Sequence, residues 1–300
     1  MSIYVEILIR GSMDVLWDKT QQPQLHQCWD LRFSEIDYLT REPGEPQKFL
    51  YATRIGAGMR IQGAGESTGE HDDASGQRTS ALKFWSDDRK SLIVTGSGYW
   101  KYIPTSDGVR FLTWYDYRVR FGVLGQIVDR VCFRPLLGWA TAWSFDRLRL
   151  WIERGITPEL SRTLALTYSL SRATLAFVWL YHGLVPKLLF RNIDEALMVR
   201  DGVLGMPPHT AVTVAGWSEI GFALVILLAW RSRWPLGLSI LLMIVATVGV
   251  GLMSPMWLTY AFNPVTLNLS VGILATVALL VREHVPTASN CLREPVEGTR

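Results

Sequence analysis

Two groups of titratable side chains in this chain have the types and spacing that chemistry needs. The first lies in the N-terminal half and comprises His26, Asp30, Arg32 and Asp116. Histidine titrates near neutral pH, so His26 is a candidate acid or base in a ligand cavity, and Asp30 is a second candidate base. The structural alternative is favoured, because Asp30 and Arg32 are two residues apart on a predicted strand. They can pair with each other or with Asp116.

The second group lies in apolar segments of the C-terminal half: Arg172, His182, Lys187, Glu219 and Asn268. Charged residues are rare inside membrane-spanning helices, and they mark the places where function is expected. His182 is expected to make a packing or headgroup contact, and Asn268 is a polar partner. For the charged members a purely structural ion pair remains an alternative.

Other chemistries find no support in the sequence. No Ser-His-Asp, Cys-His or metal-ligand spacing stands out, and no metal site is predicted. The cysteines Cys28, Cys132 and Cys291 are far apart and predict reduced thiols without a catalytic role. A net charge of +3 gives no reason to expect a nucleic-acid partner.

The N-terminal candidates fall on alternating apolar and polar stretches that are typical of half-buried strands. Seven such strands are predicted, at 2–10, 30–39, 48–56, 59–67, 78–86, 91–103 and 109–120. A helical region over 13–27, with Ser12 as its cap, separates the first two, and a long helix is predicted from near Pro135 to Arg154. Aromatic residues of the last two strands are candidates for the cavity lining, but alternation does not say which face is inside. They are Tyr99, Trp100, Trp114, Tyr115 and Tyr117.

The C-terminal candidates fall on long apolar segments. The run from Trp234 to Val281 contains 48 residues and no Asp, Glu, Lys or Arg, whereas one membrane span needs about 20 apolar residues. A turn-like break near Pro255 and Pro264 divides this run into two spans. Two further apolar segments precede it, so four spans are predicted, at about 164–189, 211–230, 234–253 and 264–281.

The predicted orientation places both termini in the cytoplasm. No signal-peptide pattern opens the sequence, and four spans return the chain to the side from which it started. Basic residues at the predicted inner ends of the spans agree with this orientation, although the first outer loop also carries Lys187, Arg191 and Arg200. The expected location is therefore the inner membrane.

Several sequence strings of the N-terminal half resemble a bacterial family in which a START-like domain precedes a DoxX-like membrane domain. The START-like domain is also called SRPBCC, polyketide-cyclase-like or helix-grip. The strings are Leu25-His26-Gln27-Cys28-Trp29-Asp30-Leu31-Arg32-Phe33, Ser97-Gly98-Tyr99-Trp100, Thr113-Trp114-Tyr115-Asp116-Tyr117 and Phe133-Arg134-Pro135-Leu136-Leu137-Gly138-Trp139. The order of the predicted elements agrees. The resemblance implies a curved antiparallel sheet around a long C-terminal helix, with a cavity between them for an apolar ligand.

In the C-terminal half, the string from Trp179 to Lys187 and the segment that begins with Glu219 resemble the first two helices of DoxX-like proteins. This resemblance implies that Glu219 pairs with Arg172 or Lys187, or that it binds a proton or a quinone-type headgroup. No cofactor is evident otherwise.

The resulting fold class is α+β: a helix-grip domain at 1–154, an all-α four-helix transmembrane bundle at 155–290 and a polar tail at 291–300. The function expected first is membrane-anchored binding or transfer of a lipid, quinone or polyketide-like compound, with ligand candidates His26, Asp30, Arg32, Tyr99, Trp114 and Asp116. The alternative is a subunit of a quinone-linked redox complex, which requires partner subunits. Catalysis by the chain alone is the least favoured interpretation, and homo-oligomers remain open.

Overall fold

In a computed structural model of the chain, residues 2–42, 44–56, 58–198 and 205–295 are described. They divide into two compact units. Unit 1 combines Met1–Ser161 with Pro286–Arg300, and unit 2 is Arg162–Val285. The chain therefore leaves unit 1, forms unit 2 and returns to unit 1.

Unit 1 contains one antiparallel sheet of seven strands: β1 (Ile3–Ile9), β2 (Glu35–Tyr38), β3 (Lys48–Ile55), β4 (Met59–Asp72), β5 (Arg78–Trp85), β6 (Ile93–Thr105) and β7 (Gly108–Val119). The strand order is β1-β7-β6-β5-β4-β3-β2, so β1 and β2 are the edges. Every strand from β2 to β7 pairs with its neighbour in sequence, and β1 pairs with β7. The seven predicted strands are present with shifts at their ends.

The helices of unit 1 follow from local signals in the sequence. α1 (Met13–Gln21) begins at Ser12, whose Oγ accepts a hydrogen bond from the backbone N–H of Val15 at 3.3 Å, and α2 (Pro23–Trp29) follows. The predicted helical region is thus two helices, because Pro23 cannot continue the first one. After β7 come α3 (Gly122–Val128), a π-helical segment Asp129–Phe133 and α4 (Arg134–Arg154).

The core of unit 1 lies between the sheet and α4. Phe111 of β7 stacks on Phe145 of α4 with ring centroids 4.4 Å apart, and Trp29 meets Phe145 at 6.1 Å. A curved antiparallel sheet around one long C-terminal helix is the helix-grip arrangement. Because burial of apolar side chains is the main stabilising contribution to a fold, this aromatic layer fixes the sheet on the helix.

One predicted strand begins later than its apolar pattern indicates. Residues 30–34 form a turn after α2, and β2 begins only at Glu35. Asp30 accounts for this, because its backbone N–H bonds the carbonyl of His26 and its carboxylate accepts the N–H of Arg32. Asp30 and Arg32 are therefore turn residues and do not share a strand face.

Unit 2 is helical. Its elements are α5 (Pro158–His182), a π-helical segment Gly183–Leu189, α6 (Ile193–Met198), α7 (Pro208–Leu228), α8 (Trp234–Met253) and α9 (Pro264–Val281). Its core draws on α5, α7, α8 and α9 through residues such as Leu175, Ile226, Leu236 and Ala275. The residues at 199–204, between α6 and α7, lie outside the described part of the chain.

Among the described residues, three helices are long and apolar enough to cross a membrane: Pro208–Leu228, Trp234–Met253 and Pro264–Asn290. The predicted four-helix bundle therefore agrees only roughly. The first predicted span falls on α5 and the π-helical segment, where charged and polar residues lower the hydropathy and Pro186 lies inside the helix.

Candidate functional site

A cavity of about 780 Å³ lies inside unit 1, between the concave face of the sheet and the helices. Strand residues in its lining follow a period of two, as for Phe49, Tyr51 and Thr53 of β3. Most of the lining is apolar or aromatic. Ligand pockets commonly measure about 300–1,000 Å³, with a few polar groups that fix orientation. The cavity is therefore large enough for a small molecule of moderate size.

Cross-strand pairs of an aromatic residue and a glycine shape the cavity wall. Tyr51 is directly opposite Gly63, and Tyr115 is directly opposite Gly98. A Cβ atom at Gly63 would collide with the Tyr51 ring, and one at Gly98 would collide with Tyr115. The Tyr51 ring thus lies close over the neighbouring strand, which the absence of a side chain at Gly63 permits. The same pairing joins Phe49 to Gly65 and Phe84 to Gly96.

The polar part of the cavity wall is built around a buried carboxylate. Asp30 is 1% exposed. Its Oδ2 is 3.0 Å from Nε2 of His26 and 2.6 Å from an Nη of Arg32, and its Oδ1 accepts the Nε–H of Arg32 at 2.9 Å. His26 and Arg32 line the cavity, whereas Asp30 lies behind them. The structure therefore brings together three of the residues singled out in the sequence.

Aromatic rings enclose this cluster. The His26 ring stacks on Trp29 at 5.1 Å and meets Trp100 edge-on at 4.9 Å. The Arg32 guanidinium lies 5.5 Å from the ring centre of Tyr115, and the Tyr115 hydroxyl is 2.8 Å from Oγ1 of Thr141 on α4. Packing on this scale fixes the side-chain directions, because both His26 and Arg32 are held from more than one side.

Burial and charge set the protonation of the cluster. Burial alone would raise the pKa of the Asp30 carboxyl, but the Arg32 guanidinium and the hydrogen bonds from His26 and Arg32 hold that pKa well below its usual range. Burial lowers the pKa of His26, and the hydrogen bond to Asp30 offsets part of that effect. A neutral His26 must donate Nε2–H to the carboxylate, which leaves Nδ1 as an acceptor. Asp30 is therefore a poor general base.

Of the three remaining ligand candidates, two lie away from the cavity. Trp114 packs edge-on against Tyr4 at 5.6 Å, and Asp116 pairs with Arg134 at 2.9 Å; neither lines the cavity. Tyr99 borders the cavity, although its register pairs it with Trp114 on the opposite face from Gly98 and Trp100. The expected lining role for Trp114 and Asp116 is corrected by this register, since odd and even positions of a strand face opposite ways.

The sequence did not show on which face of the sheet the Tyr115 side chain lies, and it did not identify Tyr51 as a candidate. Both line the cavity, and burial raises the pKa of Tyr51 to about 12, so its hydroxyl stays protonated and can donate a hydrogen bond. The available signal was the spacing of Tyr115 and Tyr117 in β7, two residues apart on the buried face. Tyr51 has a comparable signal, since it alternates with Phe49 and Thr53.

In unit 2 the ion pair of Glu219 is made with Lys187. The Lys187 Nζ lies 3.1 Å from Oε2 of Glu219 and 3.4 Å from Oε2 of Glu195 on α6. The ammonium group of Lys187 thus forms ion pairs with two carboxylates. Of the two partners that the sequence offered to Glu219, the structure supplies Lys187.

Two glycines allow this ion pair to form. A Cβ atom at Gly183 would meet the carbonyl oxygen of Gly216 at 2.5 Å, and one at Gly216 would meet that of Gly183 at 2.9 Å. Helices of membrane proteins approach closely at such small residues. The contact lies at the start of the π-helical segment, whose irregular winding accommodates Pro186 and carries Lys187.

Arg172 is fully buried and has a different role. Its guanidinium donates to the backbone carbonyls of Ile226 at 2.7 Å, Ala229 at 2.9 Å and Ser232 at 3.1 Å, and to the Tyr168 hydroxyl at 2.9 Å. These carbonyls belong to the C-terminal end of α7 and the turn that follows. A cation there satisfies carbonyls that have no partner within the helix.

The remaining membrane candidates make local contacts. Nδ2 of Asn268 on α9 donates to Oγ1 of Thr247 on α8 at 3.0 Å, which joins the two helices. His182 lies at the end of α5, with its ring 6.2 Å from that of Tyr181. Among the described residues, no group of three or more His, Cys, Asp and Glu is placed to hold a metal ion.

The fold defines the class of protein: a helix-grip unit followed in the chain by a helical membrane unit. Residues 176–276 match the DoxX-like family. The uncharacterized membrane protein YndG of Bacillus subtilis is 43% identical over 233 residues, which is 77% of this chain and 79% of that protein. The chain belongs to the same family as YndG, and it is a membrane protein.

Solved structures resemble the N-terminal half. One is a STAR-related lipid transfer protein fragment from Xanthomonas axonopodis, with 13% identity, a TM-score of 0.40 and coverage of 51% of this chain and 86% of that one. Another is the Zhui aromatase/cyclase from Streptomyces sp. R1128, with 11% identity, a TM-score of 0.39 and coverage of 52% and 95%.

Proposed function

We propose that this protein binds an apolar small molecule with one polar end in the cavity of unit 1, and that unit 2 holds this binding unit at a membrane. The observation that carries the proposal is the cavity of about 780 Å³, lined mainly by apolar and aromatic residues and with His26 and Arg32 on its wall. An apolar lining favours hydrocarbon or ring systems, and a few polar groups set their orientation.

The chemistry of the wall narrows the ligand class. Arg32 offers N–H donors that Asp30 does not fully occupy, His26 offers an acceptor at Nδ1, and Tyr51 and Tyr115 offer hydroxyls. Charged side chains in the described lining are Arg32, Arg41, Lys90 and Glu70, with cations in excess. The cavity therefore favours a ligand whose polar end is a carbonyl, phenolate or carboxylate. Lipids, quinones and polyketide-like compounds have such ends.

The test is extraction of the purified full chain. Protein in a mild detergent is extracted with organic solvent, and the extract is compared by mass spectrometry with that of an Arg32→Gln variant. An apolar compound is expected with the wild-type chain and is expected to be depleted in the variant. The matched control is Arg54→Gln, since Arg54 is an exposed residue of β3 whose side chain is 69% exposed. If the wild-type chain yields no such compound, the proposal fails.

A second variant separates loss of the compound from unfolding of the protein. Leu82 of β5 lines the cavity, and Leu82→Trp fills space without touching the buried charges. This variant is expected to lose the compound and to keep its circular dichroism spectrum. Retention of the compound by both variants would place it outside the cavity.

One observation favours a second binding role, in unit 2. The Lys187–Glu219 pair at 3.1 Å is a polar site where two apolar helices meet, and it fits the headgroup of a quinone-type molecule. The same extraction distinguishes the two sites. A quinone bound in unit 2 is expected to be lost in Glu219→Gln and kept in Arg32→Gln. The reverse pattern would assign it to unit 1.

A further inference from the structure

The helical segment between β7 and α4 has its apolar face turned outward. We call residues Phe121–Val131 the lip. Val123, Leu124, Ile127, Val128 and Val131 are exposed, with Val123 and Val131 at 73% and 68%. The spacing of these residues places them on one side of a helix. A surface helix of a soluble protein exposes its polar face to water, whereas the lip exposes its apolar face.

The inward side of the lip is polar and tightly held. Asp129 is buried, and it accepts hydrogen bonds from the Tyr117 hydroxyl at 2.6 Å and from Nε of Arg134 at 2.8 Å. A Cβ atom at Gly125 would collide with the carbonyl oxygen of Arg120. The lip is therefore fixed in this orientation, and its apolar face does not turn inward without breaking a buried ion pair.

The lip is also an edge of the cavity. Several large apolar residues line the cavity and are exposed at the same time: Phe121, Leu124, Val128 and Leu136 on this side, and Ile55 and Met59 beside the β3–β4 turn. Phe121 begins the lip with φ at 68°, a left-handed conformation that is strained for a bulky residue. The opening of the cavity is thus an exposed apolar patch, whereas the surface of a soluble protein is usually polar at such a place.

Basic residues flank the apolar face. Residues 116–134 contain four arginines and two aspartates. Both aspartates contact Arg134, while Arg118 and Arg130 are exposed. An exposed apolar face with a positive border fits the interface of a bilayer that carries anionic lipids. The chain also connects unit 1 to the membrane unit at two points, Ser161–Arg162 and Val285–Pro286. Unit 1 is therefore covalently held near a bilayer at all times, which raises its effective concentration at that surface.

We infer that the lip inserts into the surface of an anionic bilayer and that the cavity opens there, so that its ligand is exchanged with the lipid phase without crossing water. The exchange rests on the proposed function. The insertion does not, and it is measured without any ligand.

The test places a fluorescent reporter on the lip of the full chain. Val123→Cys is labelled with an NBD maleimide in a Cys28→Ser, Cys132→Ser background, because these two cysteines are exposed. The protein is reconstituted in nanodiscs of phosphatidylcholine with phosphatidylglycerol at 3:1. The matched control is Asp107→Cys in the β6–β7 turn, at the opposite end of β7 from the lip, roughly 36 Å along the strand.

We expect a blue-shifted emission and strong quenching by doxyl-labelled lipids at Val123, and neither at Asp107. Arg130→Glu is expected to weaken the quenching at Val123 in anionic nanodiscs, and phosphatidylcholine alone is expected to support less of it. Equal, weak quenching at both positions would overturn the inference.

The two proposals fail separately. An inserted lip together with an empty solvent extract would reject the ligand and keep the docking surface. A water-exposed lip together with a bound compound in the extract would reject the docking surface and keep the ligand.

Discussion

Asp30 is the residue on which the cavity wall depends. Its carboxylate accepts from His26 through one oxygen and from Arg32 through both, so a residue outside the cavity lining orients two side chains that line the cavity. A buried ion pair contributes little net stability compared with apolar packing, but removal of one partner strands a buried charge. Asp30 is therefore a positioning residue.

Replacement of Asp30 by asparagine is expected to destabilise unit 1 by about 3 kcal/mol or more, because Arg32 loses its counter-charge while it stays buried. The measurement is thermal or denaturant unfolding of the detergent-solubilised full chain near neutral pH. Asp37→Asn is the control, since Asp37 is an exposed carboxylate on β2. An equal and small effect of both variants would contradict the role of Asp30.

The same variant predicts a pH dependence. The pKa of Asp30 is lower in the folded chain than the value of about 3.9 expected in an unfolded chain. The stabilisation is therefore fully present above that unfolded value and is lost as the pH falls through the lower folded pKa. The difference in unfolding free energy between wild type and Asp30→Asn should accordingly shrink in acid below about pH 4. A constant difference between neutral and strongly acidic pH would argue against this assignment.

At the scale of the elements, the strands and the long helix of unit 1 could be predicted because their signals are local. Alternation marks the strands, Ser12 marks the start of α1, and Pro135 lies in the first turn of α4. The inward face of the sheet could not be predicted, because alternation is symmetric. Packing distinguishes the two faces: Tyr115 lines the cavity, whereas the adjacent Asp116 pairs with Arg134.

The limits of local signals are also visible in the membrane unit. Charges inside apolar segments indicated which residues of unit 2 would make polar contacts, including Arg172 and Glu219. Their partners depend on helix packing. Arg172 finds backbone carbonyls of another helix, and Lys187 reaches Glu219 because a π-helical segment and two glycines bring α5 and α7 together. Neither contact has a signature in the sequence nearby.

The pairs of aromatic and glycine residues give an element-scale prediction. Gly63→Ala is expected to destabilise unit 1 by about 1–3 kcal/mol, because the new methyl group overlaps the Tyr51 ring and the carbonyl oxygen of Trp85. Gly69 lies in the same strand, and a Cβ atom there would have no heavy atom within 4 Å, so Gly69→Ala is the control. Comparison of their melting temperatures tests the prediction. A larger loss at Gly69 would contradict it.

At the scale of the whole molecule, the segment after the last membrane helix belongs to unit 1. Leu292 exchanges two backbone hydrogen bonds with Glu6 of the edge strand β1, at 3.0 and 2.9 Å. The buried carboxylate of Asp146 on α4 accepts from the backbone N–H of Thr287 at 2.7 Å and from Nδ2 of Asn290 at 3.0 Å. Part of the predicted polar tail is thus a structural element, and residues 296–300 lie outside the described part. Contacts between residues 141 or more positions apart leave no local pattern in a sequence.

This return of the chain predicts an even number of membrane crossings. A folded unit lies on one side of a bilayer, and unit 1 contains the chain both before and after unit 2. The three helices that satisfy the criteria of length and hydropathy give an odd number. We therefore expect α5 with its π-helical extension to cross as well, which places α6 on the opposite side of the membrane from unit 1. We expect unit 1 on the cytoplasmic side, because Arg154, Arg231, Arg233 and Arg282 then lie on the inner side, where membrane proteins carry an excess of basic residues.

Cysteine labelling in intact cells measures this topology in the full chain. In the Cys28→Ser, Cys132→Ser background, Leu197→Cys on α6 and Tyr260→Cys between α8 and α9 are expected to react with a membrane-impermeant maleimide, since both positions are exposed. Asp107→Cys in unit 1 is expected to react only after the cells are permeabilised. Protection of all three positions in intact cells would mean that α5 does not cross, because the crossings of α7 and α8 keep Leu197 and Tyr260 on the same side of the membrane. The residues that return to β1 would then lie across the membrane from it, and the pairing of Leu292 with Glu6 would be excluded.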